Sequence, residues 1–99
     1  MSRWPAPRWH ATPAPLRSIV REHLFEDSLA SLIPAAEAAD DFVMAAERVL
    51  SQDPELGKPI APGSPIYVIP MAPVRDRAVA LYYSFDAETV TFVAIAAFD

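Results

Sequence analysis

Residues 76–98, DRAVALYYSFDAETVTFVAIAAF, decide the fold of this chain. Two runs rich in β-branched and aromatic residues flank the polar tetrad at 86–89, a pattern that predicts a β-hairpin. Each run is nearly apolar on both faces, which is typical of strands in the middle of a sheet. We therefore expect the earlier elements of the chain to pack on this hairpin.

Upstream of the hairpin, the apolar pattern predicts two strands and a pair of helices. The predicted elements, in chain order, are a strand at 16–22, helices at 23–33 and 34–51, a loop at 55–64, a strand at 65–71 and a turn at 72–77. The segment at 16–22 could instead begin the first helix, and the two helices could be one helix broken near Pro34. Because Pro70 cannot donate to a strand ladder, the strand at 65–71 is expected at an edge or to end there.

These elements predict one α+β domain over residues 16–99, of order β-α-α-β-β-β. The last three strands are expected to form an antiparallel meander that carries both helices on one face. The first strand is expected at the edge of this sheet.

Residues 1–15, MSRWPAPRWHATPAP, form a separate N-terminal arm. Its four prolines forbid a helix and favour an extended path. Trp4 and Trp9 are large aromatic side chains that normally cover a surface. We expect the arm to pack on its own molecule or on a twin subunit. An arm that reaches another partner, or residues added by an upstream start codon, are the alternatives.

Charge is unevenly distributed along the chain. Residues 1–23 carry four arginines and one acidic residue, whereas residues 24–99 carry four basic and twelve acidic residues. Nucleic-acid binding draws on Lys and Arg contacts to phosphates, so strong direct binding is not expected. The only obvious means of binding nucleic acid are the arm and the pair Arg75 and Arg77. The expected role of the charges in the arm and in this pair is ordinary solubility.

Candidate catalytic and metal-binding residues are sparse. The chain has no cysteine, which removes thiolate chemistry and disulfides. His10 and His23 stand outside any ligand motif, and the neighbouring Asp40 and Asp41 point in different directions on a helix. We expect no catalytic residue, no metal and no cofactor. Without a membrane-length apolar run or a signal-peptide core, a cytoplasmic protein without membrane contact is expected.

Several segments share lengths and apolar positions with a known superfamily. They are Phe25, Leu29 and Leu32 in the first helix; Val49-Leu50 followed by Asp53-Pro54-x-x-Gly57; the strand Ile66-Tyr67-Val68-Ile69; and Leu81-Tyr82-Tyr83 with Val90 leading the last strand. In this pattern residues 16–98 resemble the RelE/ParE superfamily, the toxin components of type II toxin–antitoxin pairs, which include plasmid stabilization systems. The resemblance implies the same fold and an antitoxin that lays a helix or strand across the toxin.

The sequence departs from the ribosome-dependent nucleases of that superfamily, which carry basic residues on the open face of the sheet. By the resemblance, those positions fall on Val68, Pro70, Ala80 and Asp99, and none is basic. RNA cleavage needs charge stabilisation and proton transfer at the scissile phosphate. We therefore expect no RelE-type nuclease activity, and the sequence leans against an enzyme.

The open face is instead expected to be mostly apolar, which usually marks a contact site. It reads Val68, Pro70, Ala80, Tyr82 and Ser84, with Thr91, Val93, Ile95 and Ala97 as neighbours. Tyr82 and Tyr83 point to opposite faces, so Tyr82 is the expected contact residue and Tyr83 the expected core residue. The predicted partner-binding residues are Val68, Pro70, Ala80 and Tyr82, with Arg75 and Arg77 beside them and Trp4 and Trp9 in the arm.

Three hypotheses on function follow. The first is a toxin component that pairs with an antitoxin and acts through protein binding. The second is a non-toxic interaction module of the same fold, such as a homodimer. The third, ranked lowest because the body is acidic, is a ribosome-dependent mRNA endonuclease that uses non-standard residues such as Arg75, Arg77 and Tyr82.

Overall fold

The computed structural model describes residues 16–98, so the predictions for the arm, Trp4 and Trp9 included, lie outside the described residues. The strands are β1 (Ser18–Arg21), β2 (Lys58–Pro59), β3 (Tyr67–Val74), β4 (Arg77–Phe85) and β5 (Thr89–Phe98), and the helices are α1 (His23–Leu32) and α2 (Ala36–Leu50). A single turn of 3-10 helix, Pro54–Leu56, precedes β2. None of the helices in the described part is long and apolar enough to cross a membrane.

The five strands form one sheet in the order β1-β5-β4-β3-β2. The β4–β5 hairpin is central, β3 to β5 form an antiparallel meander, and β1 lies at the edge, parallel to β5. The predicted α+β class and order are thus confirmed. The sheet has one strand more than predicted, because Lys58 and Pro59, in the predicted loop, pair with Val68 and Tyr67. A two-residue strand is too short to show any apolar periodicity.

Pro70 occupies the edge position that its missing N–H favours. It pairs with Ala80 on β4, while the short β2 ends opposite Tyr67 and Val68 and does not reach it. Pro70 therefore lies within β3 rather than at the end of the strand, at a place where β3 borders only β4.

Two separate helices cover one face of the sheet, and Pro34 lies in the short connection between them. The ring centroids of Phe25 on α1 and Phe92 on β5 are 5.2 Å apart, which ties the helix to the centre of the sheet. The buried cluster comprises Phe25, Leu29, Ile33, Val43, Ala46, Leu50, Val79, Leu81, Tyr83, Val90, Phe92 and Ile95. The core thus joins both helices to β4 and β5, and the partly buried Tyr67, Ile69 and Met71 of β3 pack against it.

A hydroxyl on α1 completes the hydrogen bonding of β5. β1 pairs with β5 only as far as Phe92, and the N–H of Ile95, beyond that point, donates to Ser28 Oγ at 3.0 Å. The Ser28 hydroxyl in turn donates to the Phe25 carbonyl oxygen at 3.0 Å. The side chain therefore takes the place of a neighbouring strand at this position, where an unpaired backbone group would be costly.

A β-bulge in β5 corrects the predicted faces of the last strand. Tyr83 opposes Phe92 and Tyr82 opposes Ala94, so Val93 has no partner on β4. The extra residue shifts the alternation, because a one-residue slip moves the following side chains to the other face. Ile95, predicted on the open face, is only 4% exposed and lies in the core. The prediction was also wrong for Ala97, which opposes the core residue Val79.

The β3–β4 connection is tighter than the predicted turn at 72–77. β3 continues through a register shift between Met71 and Val74, and Val74 pairs with Arg77. Only Arg75 and Asp76 form the turn, with φ of 52° and 65°. Positive φ at both central residues is the mark of a type I′ hairpin turn, which Asn-Gly normally provides. Non-glycine residues here carry a conformational cost, which the sequence pattern did not reveal.

Replacing Asp76 by glycine is therefore expected to stabilise the protein. Glycine adopts positive φ without the steric cost that a Cβ imposes, so Asp76→Gly should raise the free energy of unfolding by about 1 kcal/mol. Urea denaturation measures the change. Ala87→Gly in the β4–β5 turn is the control: Ala87 is not among the described residues with positive φ, and glycine there should lower stability slightly. Equal effects of the two glycines would contradict the prediction.

An uncharged open face on the sheet

The face of the sheet that the helices leave uncovered is the candidate functional site, and we call it the open face. Alternate residues of a strand point to opposite faces, so the strand register assigns the side chains. They include Val20 of β1; Thr91, Ala94, Ala96 and Phe98 of β5; Ala78, Ala80, Tyr82 and Ser84 of β4; and Val68 and Pro70 of β3. The predicted residues Val68, Pro70, Ala80 and Tyr82 are therefore brought together.

The open face is apolar and partly exposed. Val20 is 48% exposed and Phe98 is 45% exposed at its two borders, while Ala80 at its centre is buried. Tyr82 is half-buried on this face, and Tyr83 is fully buried on the other, so the predicted placement of the two tyrosines is confirmed. The face offers an aromatic ring on a floor of small side chains.

Charge is nearly missing from the open face. Among residues 16–98, Lys58 is the single basic residue that the strand register places there, at the margin opposite Val68. Val68, Pro70 and Ala80 occupy three of the positions where the resemblance expected cations, and Asp99 lies outside the described residues. The face has no cluster of cations to neutralise a phosphate.

Arg75 and Arg77 lie apart from the open face. Arg77 shares the helix-covered side of β4 with Val79, and the two arginines line a pocket of about 120 Å³ together with Leu32 of α1. Tyr82 lies five positions after Arg77 on β4, which is about 17 Å along the strand and on the opposite face. The structure therefore does not bring Arg75 and Arg77 together with Tyr82.

The β4–β5 turn closes one end of the open face. Asp86 Oδ1 accepts hydrogen bonds from the N–H groups of Glu88 and Thr89, both at 2.8 Å. These two bonds lower the pKa of Asp86 from its ordinary 3.8, and the Arg17 guanidinium lowers it further. Arg17 Nε also donates to the Asp86 carbonyl oxygen at 2.7 Å. The start of the described chain is therefore fixed against this end of the sheet.

A buried hydroxyl holds the outer strand that borders the face. Tyr83 Oη donates to the Pro54 carbonyl oxygen at 2.5 Å and accepts from the Gly57 N–H at 2.9 Å. Burial raises the pKa of Tyr83 above its ordinary 10.0. The Asp53-Pro54-x-x-Gly57 segment, noted in the sequence for its spacing, is thus attached to the central strand. This contact is what positions β2 beside Val68.

The remaining candidate residues do not form a site within the described part. His23 is exposed, and its Nε2 lies 3.6 Å from Asp27 Oδ2. Asp40 and Asp41 are exposed on α2. Among residues 16–98, no group of three or more His, Asp or Glu side chains is arranged to hold a metal ion. His10 lies outside the described residues.

Comparison with known proteins identifies the fold. A chain of the toxin–antitoxin complex RelBE2 from Mycobacterium tuberculosis is similar in structure, with a TM-score of 0.64 and 20% sequence identity over 84% of this chain and 92% of that chain. The fold is RelE-like. No protein-family model matches the sequence, and no curated protein matches it. At 20% identity the likeness concerns the fold, and it confirms the fold that the resemblance implied.

On this RelE-like fold, sequence reasoning missed half of the open face. Val20, Ala78, Ala94, Ala96 and Phe98 were not predicted there, although Val20 forms its β1 side and three of the others belong to β5. The bulge at Val93 carries no sequence signal of its own. The face to which each β1 side chain points is set only by the parallel pairing of β1 with β5, in which Val20 opposes Thr91.

Proposed function

We propose that this chain is the toxin component of a type II toxin–antitoxin pair and acts by binding a protein through its open face. The observation that carries the proposal is a RelE-like fold whose open face is apolar. Apolar area around a half-buried tyrosine suits a protein surface, because burying it from water supplies affinity.

The same face argues against a RelE-type ribonuclease. Stabilising the charge that develops on a scissile phosphate requires cations or aligned donors aimed at it. Val68, Pro70 and Ala80 provide neither, and Lys58 is exposed at the margin. Arg77 lies on the opposite side of β4 from Tyr82, which also weakens the case for a nuclease built on Arg75, Arg77 and Tyr82.

The proposed partner in the resting state is a cognate antitoxin. The similar chain comes from a toxin–antitoxin complex, which supports this assignment. The low identity means that the two proteins share a fold and few side chains. The antitoxin of this chain is therefore expected to recognise apolar and aromatic groups rather than a basic catalytic face.

Growth of a bacterial culture after tightly controlled induction of this chain tests the proposal. We expect growth to stop with the wild-type chain and to continue with Tyr82→Arg, because the new charge cannot be buried at the partner interface without a counter-ion. Met44→Arg is the matched control: Met44 is 57% exposed on α2, away from the open face, and this variant should still stop growth.

Three further assays assign the target and limit the proposal. Translation and DNA supercoiling assays distinguish a ribosome target from a gyrase target. Incubation with ribosomes and messenger RNA should give no cleavage. Continued growth at high soluble expression of the wild-type chain would overturn the toxin proposal, and a stable dimer found together with that result would favour the non-toxic interaction module.

A further inference from the structure

We infer that the open face is covered by residues 1–15 of the same chain. This inference concerns the occupant of the face, so it stands or falls separately from the toxin proposal. Three features carry it: where the described chain begins, how far the arm reaches, and which side chains the arm brings.

The described chain begins at the end of the sheet that the β4–β5 turn forms. Arg17 contacts Asp86 and Ser51 at the end of the sheet formed by the β4–β5 turn, and the following strand presents Val20 on the open face. From β1, two strand spacings of about 4.8 Å lead across β5 to β4, and three residues along β4 lead from Phe85 to Tyr82, about 10 Å. Tyr82 thus lies within about 15 Å of the start of β1.

The reach of the arm matches this distance. Leu16 lies seven positions after Trp9, a distance of about 22 Å in an extended proline-rich conformation. Trp4 lies five residues further, another 15 Å or about half the length of β5. Trp9 can therefore reach Tyr82, and Trp4 can reach the far end of the face near Phe98.

The chemistry of the arm suits the face of a sheet rather than its edge. Its four prolines have no N–H to donate, so the arm is a poor strand to add to an edge. On the face of the sheet no backbone pairing is needed, because β4 has neighbours on both sides along most of its length and β5 has them along Thr89–Phe92. Indole rings pack well on a floor of alanines beside a tyrosine.

Charge draws the arm towards the body as a whole and does not by itself select the open face, where Lys58 is the single charged residue that the strand register places among residues 16–98. Residues 1–15 carry two arginines and no acidic residue, whereas residues 16–99 carry thirteen acidic and six basic residues. An attraction between the arm and the body is therefore expected, and an arginine placed on the open face should weaken it. If the proposed function also holds, a partner that binds the open face must first displace the arm.

Tryptophan fluorescence tests this inference directly, because both tryptophans of the chain lie in the arm. We expect acrylamide to quench the tryptophan fluorescence of the full chain several-fold less than that of a free peptide of residues 1–15. Tyr82→Arg should raise the quenching towards the peptide value. Met44→Arg, the same change to arginine on the helix side, should leave it unchanged. Pro70→Arg, at an exposed position of the open face, repeats the test at a site that the core does not use.

Each remaining outcome overturns the inference. Quenching of the wild type equal to that of the free peptide would mean that the arm covers nothing. Protection unchanged by Tyr82→Arg and by Pro70→Arg would place the arm elsewhere. Protection that disappears on dilution, together with a monomer–dimer shift in light scattering, would assign the face to the arm of a second copy.

Discussion

Gly57→Ala should lower the free energy of unfolding by about 3 kcal/mol, at the upper end of the cost of overpacking a well-filled site. A Cβ at Gly57 would lie 2.5 Å from Tyr83 Oη and 2.7 Å from the Val68 carbonyl oxygen. The second contact is with backbone inside the β2–β3 pairing, so no side-chain rotation can relieve it. The φ of Gly57, −78°, is an ordinary value, so the cost is steric rather than conformational.

Gly63 is the matched control for this substitution. A Cβ at Gly63 meets nothing within 4 Å, but the residue has φ of 78°. Gly63→Ala should therefore cost only the left-handed backbone penalty, about 1 kcal/mol. Chemical denaturation of both variants gives the comparison. A Gly57→Ala variant no less stable than Gly63→Ala would show that β2 moves away freely from Val68.

How far the fold could be predicted from the sequence depends on what each residue signals locally. The hairpin residues alternate over two long runs, and the helices repeat apolar side chains at helical spacing, so the order of these elements was predictable. The placement of Phe25 and Tyr83 in the core followed from the same patterns, and both are fully buried. These features depend on side-chain periodicity, which is written in the sequence.

The missed features depend on pairing between distant parts of the chain. The bulge at Val93 is defined only by the register of β5 against β4, and it decided the face of Ile95. Lys58 belongs to the sheet because it pairs with Val68, ten residues further along the chain. Val20 joined the open face through a parallel pairing with β5, about seventy residues along the chain. Such contacts leave no local pattern, so the candidate site was predicted in part.

The hydroxyl of Tyr83 gives the second large effect. Tyr83→Phe keeps the ring but leaves the Pro54 carbonyl oxygen and the Gly57 N–H without their buried partner. Unsatisfied buried groups cost about 1–3 kcal/mol, so we expect a loss of about 2 kcal/mol, measured by urea denaturation at pH 7. Tyr67→Phe is a conservative control on the same face, because the Tyr67 hydroxyl makes no hydrogen bond to another residue among 16–98.

The pH dependence separates the role of this hydroxyl from simple packing. Burial raises the pKa of Tyr83 above 10.0 in the folded protein, so the unfolded chain loses this proton first as the pH rises. The stability that the hydroxyl contributes is fully present below pH 10.0 and is lost as the pH rises through the folded pKa. The difference in the free energy of unfolding between the wild type and Tyr83→Phe should therefore decrease above pH 10.0. A difference that stays constant above pH 10.0 would mean that Tyr83 has the same pKa in the folded and in the unfolded protein.

The two large effects should also be coupled, since both substitutions act on one contact. Removing the Tyr83 hydroxyl removes the obstacle that a Cβ at Gly57 meets at 2.5 Å but leaves the one at 2.7 Å, the Val68 carbonyl oxygen. The double variant should therefore be less destabilised than the sum of the single variants, by about 1 kcal/mol, yet less stable than Tyr83→Phe alone. Strict additivity would mean that the hydroxyl does not obstruct a side chain at Gly57. A double variant as stable as Tyr83→Phe would mean that the Tyr83 hydroxyl alone obstructs a side chain at Gly57, and that the Val68 carbonyl oxygen does not.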